Sequence, residues 1–196
     1  LEELRGHLVN RKSLLCNATL PDSDRHLFEG AFKGLVESLP EVDQVPVKWE
    51  PQFEGKSEGL VCPAPVNFVG KAVNIYDLGY EFHGSIAVIT RYLRNSWLWD
   101  RVRVQGGAYG ASCNFDHFAG ILTFTSYRDP NLRGTIDNYD ASARFLREIN
   151  LSDDELTKAI IGTIGDLDAY QLPDAKGFAS MVRELTGIDD DFRQQM

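Results

Sequence analysis

The spacing of apolar residues along the chain predicts a series of amphipathic helices. Between residues 24 and 39 they recur at intervals of three and four, after a polar turn at residues 21–24 that can cap a helix. The same spacing predicts helices from Ser85 to about residue 98, over residues 135–148, from Ser152 to about residue 170, and from Pro173 to about residue 185. Ser152 and Glu155 form the pattern of a capping box.

Short apolar runs between these helices predict strands. Residues 13–19 predict a buried strand, and residues 59–73 predict one or two strands at an edge or a bulge, because they contain prolines. Residues 111–115 and 120–127 predict a hairpin with a turn at Asp116 and His117. Residues 40–57 carry three prolines and predict a connector. This order indicates a single α+β domain over residues 1–196, with a largely antiparallel sheet and helices packed on one face.

Both ends of the chain have helical character. Residues 1–8 resemble the end of an amphipathic helix, and residues 189–196 resemble a helix start that stops at once. A domain rarely begins and ends within helices. We therefore expect a piece of a longer polypeptide, in which residues 1–11 end a preceding helix. The first residues resemble neither a signal peptide nor a transit peptide.

Composition and charge narrow the classes of partner. The hydrophobic share of 43% is enough for a sizeable core, and no apolar run is long enough to predict a membrane span. The 20 Lys and Arg against 29 Asp and Glu give a net charge of -9. This charge disfavours nucleic acid as a partner and attracts basic peptides. We expect no partnership with nucleic acid or membrane.

The three cysteines, Cys16, Cys62 and Cys113, lie far apart and form no C-x-x-C pair. Their apolar neighbours predict buried, reduced thiols in a reducing compartment. A bacterial cytoplasm is the compartment we expect, with a mitochondrial matrix or a plastid stroma as alternatives.

The sequence contains no motif for a metal site or for a catalytic serine. The four histidines form neither H-x-x-x-H nor H-x-x-E-H, and no G-x-S-x-G nucleophile motif occurs. The chain by itself is therefore expected to bind no catalytic metal.

The glycine-rich segment 105–110 is the most unusual stretch of the chain. It holds three glycines, and Arg103 precedes Tyr109 by six residues at the predicted end of a helix. One interpretation is a flexible turn with Tyr109 packed in the sheet. The other is an arginine and a tyrosine hydroxyl directed at a carbonyl oxygen that becomes negative in a transition state. The residues alone favour both equally.

Residues 103–110, Arg-Val-Gln-Gly-Gly-Ala-Tyr-Gly, resemble the R-x-x-G-G-A-Y-G segment in the C-terminal half of presequence-protease-like enzymes. These enzymes belong to the insulinase/pitrilysin group of zinc metallopeptidases. Residues 14–19, 65–71 and 124–130 also resemble the last domain of that family. The resemblance extends from about residue 14 to about residue 185.

The resemblance implies an enzyme of two halves, each made of two similar α+β domains that close around a peptide. The zinc and its H-x-x-E-H motif belong to the first domain, and the last domain supplies an arginine and a tyrosine. By motif position these catalytic residues are Arg103 and Tyr109. Gly106, Gly107 and Ala108 would bind substrate by letting its main chain lie close.

The chain has no H-x-x-E-H motif, so the resemblance implies the non-zinc C-terminal domain of a zinc metalloendopeptidase that degrades short unstructured peptides. Its zinc cofactor would be bound outside this chain. Its partners would be the peptide and the N-terminal half of the same polypeptide, and the chain alone would be inactive. The alternatives are a non-catalytic scaffold of the same fold and a plain peptide-binding domain.

Overall fold

The computed structural model describes residues 1–43, 48, 50, 57–189, 191 and 194. Backbone contacts divide the chain into two compact units. One consists of Leu1–Gly59 and Tyr170–Arg193, and the other consists of Leu60–Ala169 and Gln194–Met196. The single domain expected over residues 1–196 stays a prediction.

The second unit contains an antiparallel sheet of strands β1 (Asn67–Asn74), β2 (Gly110–Asp116) and β3 (Ile121–Asp129). β3 lies in the centre and pairs with β1 on one side and with β2 on the other. The predicted hairpin is confirmed as β2 and β3. β1 lies at an edge of this sheet, which agrees with the edge strand expected from the prolines, and its register against β3 shifts between Asn67 and Val69.

Four helical segments belong to the sheet unit. They are α3 (Ser85–Asn95), a π-helix (Trp99–Gln105), α4 (Arg133–Glu148) and α5 (Asp153–Leu167). α3 packs against β2 and α4 packs against β1, which confirms the α+β class. The capping box is confirmed, because the Ser152 hydroxyl accepts from the Glu155 amide at 3.3 Å and the Ser152 amide donates to the Glu155 carboxylate at 3.0 Å. The helix predicted from Ser85 changes to π-helical geometry at its end.

The core lies on one side of the sheet. Phe124 of β3 stacks on Tyr139 of α4 with 5.3 Å between ring centres, and burial raises the pKa of Tyr139 to about 12. The other buried apolar side chains of this core are Val69, Leu93, Leu98, Val102, Ala108 and Cys113. On β3, Thr125 is exposed between the buried Phe124 and Ser126, as alternation in a half-buried sheet requires.

The first unit contains α1 (Glu2–Leu8), α2 (Arg25–Ser38) and α6 (Pro173–Thr186). The helices predicted at residues 24–39 and from Pro173 are confirmed, and α6 ends at Gly187 in a left-handed conformation. The predicted connector over residues 40–57 and the predicted helix start at residues 189–196 lie largely outside the described residues. None of the described helices is long and apolar enough to cross a membrane.

The strand predicted at residues 13–19 is wrong. Residues 14–20 have no regular secondary structure, and Leu14 and Leu15 are 43% and 57% exposed. The segment instead lies along α6, where the Asn17 amide donates to the Gly177 carbonyl at 2.6 Å. A strand exists only where a second strand completes its hydrogen bonds, and no described strand pairs with this segment.

The prediction of buried thiols is correct for one cysteine and wrong for two. Cys113 is buried on β2, and burial raises its pKa to about 12. Cys16 and Cys62 are exposed. Apolar neighbours in the sequence bury a thiol only when the segment joins the core, and neither residues 14–20 nor residues 59–66 form a strand in the structure.

Thiol labelling of the native protein tests this difference. We expect iodoacetamide at neutral pH to alkylate Cys16 and Cys62 and to leave Cys113 unmodified, because a buried thiol with a raised pKa forms almost no thiolate. Mass spectrometry of digested protein gives the extent of modification at each site. Labelling in urea is the control, in which all three react. Equal labelling of Cys113 and Cys16 in the native protein would contradict the burial.

Candidate functional site

The π-helix places Arg103 on its last turn, as the sequence predicted for the end of a helix. The guanidinium carbon of Arg103 lies 3.8 Å from the ring centre of Trp99, one turn earlier. Stacking on an aromatic face holds the guanidinium by its flat side and leaves its N–H groups at the edge available for other acceptors. Trp99 therefore orients the charge of Arg103.

The charge of Arg103 has no described counterion. Within the described ranges, no carboxylate lies within 4.0 Å of its guanidinium. Arg101 differs, since it lies 3.7 Å from the Asp100 carboxylate and donates to Gln105 at 3.1 Å. Of these two arginines, Arg103 is the one with a charge available to an external anion.

The chain folds back on the π-helix directly after Arg103. The Gly107 amide donates to the Arg103 carbonyl at 3.0 Å, and the Ala108 amide donates to the Val102 carbonyl at 3.1 Å. A Cβ atom at Gly106 would lie 2.5 Å from the Val102 carbonyl oxygen, and Gly107 has φ 79. The closed turn itself therefore requires both glycines.

The β3–α4 connection supports this turn from outside. The Asn131 side chain donates to the Gly106 carbonyl at 2.5 Å, and its backbone amide donates to the Asp129 carboxylate at 2.8 Å. Asp129 is fully buried and also accepts from the hydroxyls of Ser126 at 2.6 Å and Thr135 at 2.7 Å. The turn is thus tied to the end of the central strand.

Tyr109 follows the turn and begins the approach to β2. Its amide donates to the Tyr127 carbonyl at 3.1 Å, while its ring is 68% exposed. The ring contacts Tyr127 edge to face with 5.9 Å between centres. The Tyr109 ring is therefore not buried in the sheet, as one interpretation of the sequence expected, but lies exposed against Tyr127 on its surface.

The structure thus places the predicted site residues around one closed turn. Arg103 enters the turn, Gly106 and Gly107 form it, and Tyr109 leaves it. The Ala108 methyl is buried in the core, so only its backbone is available to a ligand. No group of three or more His, Cys, Asp or Glu side chains that could hold a metal exists among the described residues.

Sequence reasoning missed Trp99 and Asn131. Trp99 could have been found if the helix predicted to about residue 98 had been extended to Arg103, because residues four positions apart on a helix share a face. Asn131 carried no such signal, because its contact with Gly106 joins segments 25 residues apart.

Comparison with known proteins assigns the chain to a protein family. Residues 57–196 match the family model described as the PreP C-terminal domain. The chain belongs to this family. The resemblance drawn from residues 103–110 is therefore confirmed, and the chain is a C-terminal domain of the presequence protease family.

Two of the three relatives described here are named presequence proteases, and the third is named protein HypA. Presequence protease 1, chloroplastic/mitochondrial, of Arabidopsis thaliana is 47% identical over 196 residues, which are 100% of this chain and 18% of that protein. Protein HypA of Clostridium perfringens is 31% identical over 86% of the chain and 17% of its own length. Presequence protease, mitochondrial, of Mus musculus is 28% identical over 69% of the chain and 13% of its own length. The chain spans less than a fifth of the length of these relatives.

Two glycine substitutions test the geometry of the turn. Gly106→Ala is expected to lower the free energy of unfolding by about 1–3 kcal/mol, because its Cβ would overlap a backbone carbonyl that cannot move freely. Gly110→Ala is the matched control, since a Cβ there meets nothing within 4 Å, and its effect should stay within about 0.5 kcal/mol. Urea denaturation measures both. Equal stability of the two variants would contradict the closed turn.

Proposed function

We propose that this domain completes the active site of a longer metalloendopeptidase that degrades short, unstructured peptides, with Arg103 and Tyr109 as its catalytic residues. The observation that carries the proposal is that an exposed tyrosine and an arginine with no described counterion lie on either side of one closed turn. Membership of the family supports it, since relatives are named presequence proteases.

The chemistry of peptide hydrolysis explains why these two side chains would be needed. Addition of water to a peptide carbonyl places negative charge on its oxygen. A guanidinium and a phenol hydroxyl both donate hydrogen bonds to such an oxygen, and donors that are oriented in advance lower the barrier most. The stacking of Arg103 on Trp99 provides that orientation for the guanidinium. Ala108 and the glycines would offer substrate only their backbone.

The zinc of such an enzyme would be bound outside this chain. The described residues do not fit a zinc site, because they include no cluster of three or more suitable ligands. We therefore assign the metal to another part of the longer polypeptide, and we expect the N-terminal half to be the partner against which this domain closes.

The net charge of the chain bears on the proposed substrate, and the names of the relatives bear on the proposed compartment. The net charge of -9 suits a basic peptide and disfavours nucleic acid. The presequence proteases of Arabidopsis thaliana and Mus musculus have names that specify chloroplasts or mitochondria, whereas the name of protein HypA of Clostridium perfringens specifies no compartment. On the names of the two presequence proteases we propose an organelle, a mitochondrion or a plastid, in place of the bacterial cytoplasm expected in the sequence analysis.

Substitution of the two proposed catalytic residues in the full-length protein is the direct test. We expect Arg103→Ala and Tyr109→Phe each to lower kcat/KM for a basic, unstructured peptide about 100-fold, which is the usual effect of removing one oxyanion donor. Zinc content should stay unchanged. Arg101→Ala is the matched control, because Arg101 already has Asp100 and Gln105 as partners.

The outcome separates three functions. A loss in both variants and not in the control supports the catalytic role. Peptide binding without cleavage that survives Tyr109→Phe would favour a plain binding domain. Neither cleavage nor peptide binding by the wild type would favour a scaffold.

The isolated domain provides a second test. The 196-residue chain, once its folding is verified by circular dichroism, is expected to cleave no peptide and to retain no stoichiometric zinc after dialysis. Full-length protein should lose its activity in a chelator and recover it with zinc. Chelator-sensitive cleavage by the isolated domain would overturn the assignment of the metal to another part of the protein.

A further inference from the structure

Three exposed aromatic side chains lie together beside the glycine-rich turn. Phe68 of β1 and Tyr109 each contact Tyr127 of β3 edge to face, with ring centres 5.2 Å and 5.9 Å apart. Their exposed fractions are 61%, 68% and 47% for Phe68, Tyr109 and Tyr127. We call these three residues the aromatic shelf. Contiguous exposed aromatic surface is a common mark of a binding site.

A bulge in the central strand creates the shelf. Asn67 lies opposite Asp129 and Val69 lies opposite Ser126, so that Tyr127 and Arg128 together face the single residue Phe68. Both Tyr127 and Arg128 are exposed between the buried Ser126 and Asp129, where strict alternation would bury one of them. Bulges of this kind redirect side chains next to functional sites.

The bulge also holds the backbone in an unfavourable conformation. Arg128 has φ 49 and is the only described residue other than glycine with positive φ. An arginine in the left-handed region is less stable there than glycine. A strained backbone conformation that the surrounding structure holds in place is typical of functional sites. Here the strained residue Arg128 belongs to the bulge that leaves Tyr127 exposed.

Two neighbours of the shelf, Gly110 and Arg128, bear on the kind of ligand that it could accept. Gly110 lies opposite Tyr127 on β2, and a Cβ there would meet nothing within 4 Å, so that space is open beside the tyrosine ring. The Arg128 guanidinium lies 5.6 Å from the Tyr127 ring centre and places positive charge on the shelf. This charge repels lysine and arginine side chains, whereas a neutral aromatic ring can pack edge to face against the shelf.

We propose that the aromatic shelf binds an aromatic side chain of the peptide substrate, and that Phe68 and Tyr127 are specificity-determining residues. The inference rests on the proposed function, because Tyr109 belongs both to the shelf and to the proposed catalytic pair. A side chain seated on the shelf would lie beside the Tyr109 ring and so near the bond whose carbonyl this residue binds.

The test uses the full-length protein and sets of unstructured peptides. In each set one position near the cleaved bond carries Phe, Ala or Lys. In the wild type we expect one position at which kcat/KM is about three- to tenfold higher for Phe than for Ala. At that position Lys should be no better than Ala. Phe68→Thr and Tyr127→Thr should bring the Phe/Ala ratio close to one, while Phe68→Tyr should keep it.

Phe118→Ala is the matched control. Phe118 is an exposed aromatic residue, 54% exposed, in the turn between β2 and β3 and outside the shelf. It should leave the Phe/Ala ratio as in the wild type. Phe68→Leu serves as a second variant if Phe68→Thr fails to fold, because it retains apolar volume but loses the ring, and it should lower the ratio.

Each possible result of these experiments either supports or overturns the proposed role of the aromatic shelf. A Phe preference that survives both threonine variants, an absence of any Phe preference, or a preference for Lys overturns it. If the wild type cleaves no peptide, the proposed catalytic function fails, and fluorescence anisotropy of the same peptides tests the shelf alone. Tighter binding of Phe than of Ala peptides, lost in Phe68→Thr, would support the shelf, and equal binding would overturn it.

Discussion

The buried carboxylate of Asp129 is the interaction on which the site depends. A carboxylate removed from water is costly unless donors surround it. Here two hydroxyls and one backbone amide donate to it, from Ser126, Thr135 and Asn131. These donors come from the end of β3, the start of α4 and the connection between them. The carboxylate therefore fixes the path of the chain at the point where it leaves the sheet.

Two consequences follow from this fixed path. Asn131 reaches the Gly106 carbonyl and holds the turn that links Arg103 to Tyr109. The bulge at Tyr127 and Arg128 is what returns Asp129 to the interior, so the same distortion that satisfies the carboxylate also exposes the aromatic shelf. The site is thus carried by the sheet and the π-helix, and such rigid elements hold donors in a defined geometry.

Local patterns predicted the elements that depend on local interactions. The periodic helices α2 and α6, the capping box at Ser152 and the β2–β3 hairpin all agree with the structure. The strand predicted at residues 13–19 was wrong, because an apolar run forms a strand only where a second strand pairs with it. The predicted burial of Cys16 and Cys62 was wrong for a similar reason, because their segments do not join the core and both thiols are exposed. Of the candidate site, the sequence motif located Arg103 and Tyr109, and neither its spacing nor its composition indicated Tyr127 or Asn131.

The sequence by itself determined the family, most of the helices and the glycine-rich segment. Motifs, helical periodicity and helix caps all involve residues only a few positions apart. Only the tertiary structure decided that the Tyr109 ring is exposed, that Trp99 orients Arg103, and that Asp129 is buried among donors. The exposure of Tyr109 and the burial of Asp129 depend on strand register and on hydrogen bonds between distant segments. Register is set by the packing of the whole sheet, which no short stretch of residues encodes.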